Sequence, residues 1–246
     1  MPRTTRATRS PSPATDPAML KRILAAGLAG GIAGGIVVGA IESVTTVPMI
    51  IHAEAFEELA ATGLTFLAHA PGEHAHGGEE GGMRLILTFI ATIAVAVGYA
   101  WMLLAVMYAK GSEITMRSVI PFAIAGFFAT GLAPALGLAP ELPGAAAADL
   151  EARQIWWAFT ALATAIGIGA IYFGRSLTWV VGGVVLIVLP HVVGAPQPDG
   201  MASDVPAELA AHFASTSLVI HALIWIVPAA IAGYAMSRMN LADQTV

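Results

Sequence analysis

The 246-residue chain contains no cysteine. That absence excludes disulfide staples, thiolate metal ligands and thiol redox chemistry. Charge is scarce too. Asp, Glu, Lys and Arg make up 11% of the residues, less than half the ~25% of an ordinary soluble domain. Such a chain cannot cover a water-facing surface of normal composition, which excludes a soluble enzyme and a disordered protein. The net charge is −5 and the basic residues are scattered, so the footprint of a nucleic-acid partner is missing. Lysine occurs only at Lys21 and Lys110, and no Gly-x-x-x-x-Gly-Lys-Ser/Thr run is present. Hydrolysis of ATP through a P-loop is therefore excluded. No His-Glu-x-x-His and no Ser-His-Asp arrangement stands out, and the chain is read as a non-enzyme.

Apolar sequence fills the space that charge leaves. The chain is 57% hydrophobic, with a mean hydropathy of +0.77. A bilayer core of about 30 Å needs about 20 apolar residues per helix. Six runs meet or approach that length: 23–51, 85–109, 119–138, 155–173, 177–193 and 213–236. The fifth is the shortest and ends at Pro190-His191. The expected fold is all-α, a polytopic membrane helix bundle of six spans. Residues 1–19 are expected to form a disordered cytoplasmic tail, 20–238 the transmembrane domain, and 239–246 a short cytoplasmic tail. A His/Glu-rich outer loop is expected over 52–83.

Orientation follows from the Lys and Arg residues. Arg3, Arg6, Arg9, Lys21, Arg22, Lys110, Arg117, Arg175 and Arg238 fall on one side, against Arg84 and Arg153 on the other. Both termini are accordingly expected in the cytoplasm. Twelve of the 16 acids lie in the three outer loops. Acids do not set topology, so this bias asks for a different explanation, such as attraction of a cation.

Four features carry candidate function. Gly27, Gly31, Gly35 and Gly39 recur every four residues in the first span, a stripe that lets another helix approach closely. Plain helix packing is its expected role. Glu42 is the acid well inside a span, and it shares the glycine face. An ionisable group there is costly and faces the bundle or water; ion ligand and proton relay are its functional readings. All seven histidines lie on the outer side or in the outer half. His52, His69, His74 and His76 fall in the first outer loop, near Glu73, Glu79 and Glu80, and imidazole with carboxylate suits divalent transition metals. His191 and His221, with Glu42, form the candidate nitrogen-oxygen site near the entrance. His212 and His221 are nine residues apart, half a turn out of phase, so they cannot share a site on a regular helix. Trp156 and Trp157 read as an aromatic belt, with Arg153 beside them able to latch Asp149 or an outer-loop acid.

A weak internal repeat is also present. Pro134, Pro140 and Gly144 match Pro190, Pro196 and Gly200 at a constant offset of 56, which suggests two parallel helical hairpins.

Four stretches carry a family resemblance: LAPALGLAPELPG at 132–144, ARQIWW at 152–157, LPHVVGAPQP at 189–198 and VPAELA at 205–210. With the glycine-rich first span and the His/Glu-rich first loop, they resemble the CbtA family, described as a probable cobalt transporter subunit of bacteria. The polar start of the chain departs from the short starts of that family. The resemblance implies uptake of cobalt for cobalamin synthesis in the bacterial cytoplasmic (inner) membrane. It also implies a small single-span, His-rich CbtB-like partner. Co2+ is expected as substrate, with Ni2+ as the alternative, and no permanently bound cofactor is expected. Membrane lipid and further copies of the chain are the other expected partners. The competing reading is a non-transporting accessory protein that binds metal or organises a separate transporter.

Overall fold

The computed structural model describes residues 17–62, 78–200 and 202–243. Among them every regular element is a helix: α1 (Pro17–Val44), α2 (Thr46–Thr62), α3 (Gly78–Ala109), α4 (Met116–Phe127), a π-helical turn (Phe128–Leu132), α5 (Ala133–Ala135), α6 (Leu150–Phe173), α7 (Leu177–Val193) and α8 (Ala207–Asp243). Five segments are long and apolar enough to cross a membrane: Pro17–Val44, Gly81–Ala109, Met116–Ala135, Leu150–Phe173 and Ala207–Leu241. The shorter apolar helix Leu177–Val193 is the sixth.

The spans match the expectation, while several of their ends do not. The run expected over 23–51 breaks at Thr45. Pro48 has no N–H, and its ring would clash with the carbonyl of Val44 in a continuous helix. Thr45 Oγ1 donates to Ile41 O at 2.7 Å and Ser43 Oγ to Ala40 O at 2.8 Å, back-bonds that bend a helix. The loop expected over 52–83 is helical at both ends, because α2 runs to Thr62 and α3 starts at Gly78. His52 therefore sits on a helix. The expected tails also shorten: α1 opens at Pro17, a residue suited to a first helical turn, and α8 continues to Asp243, with no proline or glycine to stop it. The rest of both tails lies outside the described residues.

α1 is the central helix, packed between α3 and α8. Its glycines make that position feasible. A Cβ at Gly35 would lie 2.6 Å from Ile93 Cα, and one at Gly34 would lie 2.7 Å from Pro228 Cα. Gly27, Gly31 and Gly39 also face α3, against Trp101, Val97 and Phe89. The stripe is thus filled by neighbours within the chain, and close approach supplies dispersion contact. The main core gathers around it, from Leu104 and Met107 of α3, Val119 and Ala123 of α4, and Ile224, Trp225 and Met236 of α8.

α6 and α7 pack mainly on each other. Gly167 and Gly183 cross with each other's carbonyls, a Cβ on either meeting the opposite carbonyl oxygen at 2.6 Å. Trp156 is buried in this pair, donating Nε1–H to Pro190 O at 3.3 Å. Its placement corrects the aromatic-belt expectation; Trp157, one residue on, stays exposed. Pro134 and Pro190 of the weak repeat are both fully buried, but Gly144 has a φ of 75° while Gly200 is not among the positive-φ glycines.

The start of α1 and the end of α8 meet at one end of the bundle, where Arg22 Nη1 donates to Asn240 Oδ1 at 3.3 Å. Lys110 Nζ lies 3.9 Å from the centre of the Phe173 ring at that same end. The opposite, acidic end carries a small second core of Ala53, Leu142 and Val205. Asp204 N donates to Gly144 O at 3.2 Å and joins the two loops there.

Candidate functional site

Pro134 starts the local story. Lacking an N–H, it leaves the carbonyl four residues earlier without its helical donor, and the helix widens into a π turn over Phe128–Leu132. Ala133 N reaches back to Phe128 O, one residue further than in an α-helix. Single π turns inside helices concentrate at functional sites. Thr130 lies at the middle of this one.

The Thr130 hydroxyl joins four groups, the Tyr99 side chain among them. Trp225 Nε1–H donates to it at 2.9 Å, His221 Nε2 lies 3.1 Å away, and Thr130 Oγ1 donates to Gly126 O at 2.9 Å. A hydroxyl has one proton. The Gly126 carbonyl, the Tyr99 phenol and His221 Nε2 all lie within reach of that proton, and whether His221 donates or accepts here follows its tautomer. Trp225 is further fixed by Tyr99 of α3, whose ring stacks on it at 4.2 Å with a 14° tilt. Two glycines admit the α8 rings: a Cβ at Gly131 would lie 2.8 Å from His221 Cδ2, and one at Gly126 would lie 2.6 Å from Trp225 Cη2.

A cavity of about 390 Å³ runs from Pro140, Leu150 and Arg153 at the acidic end to Thr130 and His221. Arg153 is paired with Glu141 at 2.7 Å, each about a quarter exposed. Its latch is thus an outer-loop acid, while Asp149 instead caps α6 by accepting from Ala152 N at 2.9 Å. The walls are chiefly apolar, with the His221 imidazole, the Thr130 and Ser217 hydroxyls, the Gln154 amide and the Arg153 guanidinium among them.

The other expected site residues lie elsewhere. Glu42 Oε2 accepts from Thr92 Oγ1 of α3 at 2.5 Å, at the seam between α1 and α3. His191 packs edge-on against Trp156, ring centres 5.8 Å apart. The expected grouping of His191, His221 and Glu42 is therefore dispersed over three different helix contacts. Among the described residues no three His, Asp or Glu side chains converge as a metal cage. His52 and His212 line one groove of about 400 Å³ between α2 and α8, and His221 lines the separate cavity described above, as the half-turn offset required. His69, His74 and His76 lie outside the described residues. Thr92, Thr130 and Trp225 escape the sequence reading, because a threonine in an apolar run ordinarily bonds its own helix. Gly126, Thr130, Gly131 and Pro134 within one span are the signal that marks the turn.

A comparison with known families decides the kinship. The family described as probable cobalt transporter subunit (CbtA) matches residues 20–237, nearly the whole chain. The chain belongs to the CbtA family. No curated protein and no solved structure matches it. Membership makes this CbtA chain a multi-pass membrane protein of a transporter-subunit family. The match reaches into every span and takes in the residues lining both cavities.

Proposed function

We propose that this chain is the membrane subunit of an uptake system for a divalent transition-metal ion, cobalt being the ion in the family's description. It would act in the bacterial cytoplasmic membrane and supply cobalt for cobalamin synthesis, with Ni2+ as a competing substrate. The single observation that carries this reading is the cavity leading from the acidic end to His221. Acids at that end attract cations. His52, His69, His74 and His76 gather the ion, and His221, His191 and Glu42 act as separate stations rather than one cage. The membrane potential drives the ion inward by about 2.3 kcal/mol per charge per 100 mV. Imidazole ligands must be neutral to bind metal, so uptake falls as pH drops below about 6. A single-span CbtB-like partner and self-association are part of the proposal, as the word subunit in the family description suggests.

The test is uptake of radioactive cobalt in cells lacking their own importers, with nickel as competitor. Uptake that depends on the chain and falls in His221→Ala supports the permease. Uptake absent both alone and with a co-expressed single-span partner favours the accessory reading. Glu42 lies half-buried on α1 against Thr92, and its substitution separates the two readings, because an ion ligand matters to a permease and not to a purely organising protein.

A further inference from the structure

We infer that His52 and His212 form a two-imidazole binding site for a first-row divalent transition-metal ion, in the groove between α2 and α8. The inference rests on the metal-handling reading above and adds His212 as a ligand. Both side chains line the same groove of about 400 Å³. They arrive from opposite walls. Thr45, Pro48, Met49 and His52 follow one another at helical spacing along the α1–α2 corner, and Leu209, His212 and Thr216 do so on α8.

The two walls are held in register by packing beside each histidine. Ala53, next to His52, is fully buried with Leu142 and Val205. Met49 and Ile50 from α2, and Leu209, Ala210 and Phe213 from α8, pack on that core. Both imidazoles are exposed, and each projects from a helix whose neighbouring residues pack on that core, which sets the two helices side by side along the groove. Thr45 and Thr216 add hydroxyls to the lining, which among the described residues includes no lysine or arginine. Neutral imidazole is a nitrogen donor for Co, Ni, Cu and Zn ions. Two protein ligands leave the other coordination positions to water, which suits an ion that must be passed on rather than kept. Glu42 lies one turn from the groove along α1, its carbonyl accepting from Thr46 Oγ1 at 3.4 Å.

The experiment is a calorimetric Co2+ titration of the full chain in detergent at neutral pH. It uses a background in which His69, His74 and His76 are alanine, so that those imidazoles add nothing. The expected result is one binding event that weakens at least about tenfold in His52→Ala, in His212→Ala and in His212→Gln. The His52→Ala/His212→Ala double variant should be little worse than either single, because half a site is already lost. Equal binding in all forms overturns the inference, and so do losses that multiply as for independent sites. Circular dichroism melts, expected to be unchanged for these exposed side chains, show that the variants are folded. Cobalt uptake is measured on the His52 and His212 variants in the otherwise native chain, with and without a co-expressed single-span partner. Binding that needs both histidines, with no uptake by any form, leaves the site standing and overturns the transport reading. Uptake without such binding overturns the site.

Discussion

Replacing Gly35 by alanine tests the packing that places every other element. The added Cβ would sit 2.6 Å from Ile93 Cα and 2.9 Å from Ile93 Cγ1, where ordinary contact begins at 3.4 Å. The nearest atom is backbone, so no side-chain rotation relieves it. α1 and α3 must separate by about 1 Å, and overpacking of this kind costs about 1–3 kcal/mol. Alanine also regains about 0.5–1 kcal/mol of helix propensity over glycine. The net expectation is a loss of about 1–2 kcal/mol, a 5- to 30-fold change in the folded-to-unfolded ratio. Gly98→Ala on α3 is the matched control, since its Cβ would meet nothing within 4 Å. It keeps the propensity gain without the clash and should stabilise by about 0.5–1 kcal/mol. Reversible unfolding in mixed micelles, titrated with a denaturing detergent, reads both. Equal stabilities for the two variants would refute the close α1–α3 contact and the assignment of the stripe to packing within the chain.

Other outcomes follow from the same contacts. Thr130→Val leaves Trp225 Nε1 and His221 Nε2 without their shared partner and should cost about 1–3 kcal/mol, while Thr130→Ser should restore most of it in the same unfolding assay. Thr164→Val should be neutral or stabilising, because Thr164 Oγ1 is buried with no hydrogen-bond partner and removing such a group carries no penalty. Glu42→Gln can still accept from Thr92 and should keep its unfolding midpoint while losing cobalt uptake; retained uptake would remove Glu42 from the ion path. Arg153→Gln breaks a partly exposed pair with Glu141 and should change stability by no more than about 1 kcal/mol, an effect that shrinks further in high salt.

The six spans were legible because length and hydropathy alone decide which segments can lie in hydrocarbon. Their ends were not. The break at Thr45 depends on Pro48 opposing the Val44 carbonyl, and an apolar run through 51 hides it. The glycine stripe announced a close helix contact without naming its partners, since spacing defines a face but not what covers it. Trp156 illustrates the same limit. An aromatic at a helix start fits a lipid interface, and only the approach of α7 with Pro190 buries it.

By itself, then, the sequence determined what any regular helix must obey: the number of spans, the sidedness of charge, and the opposite facing of His212 and His221 through a nine-residue offset. The tertiary structure decided which groups meet. Helix rotation and the separate pairing of α6 with α7 dispersed His191, His221 and Glu42. The π turn aimed Thr130 at Trp225 and His221, and the small second core set the helices that carry His52 and His212 along one groove. Those outcomes depend on contacts between residues far apart in the chain, and no local period encodes them.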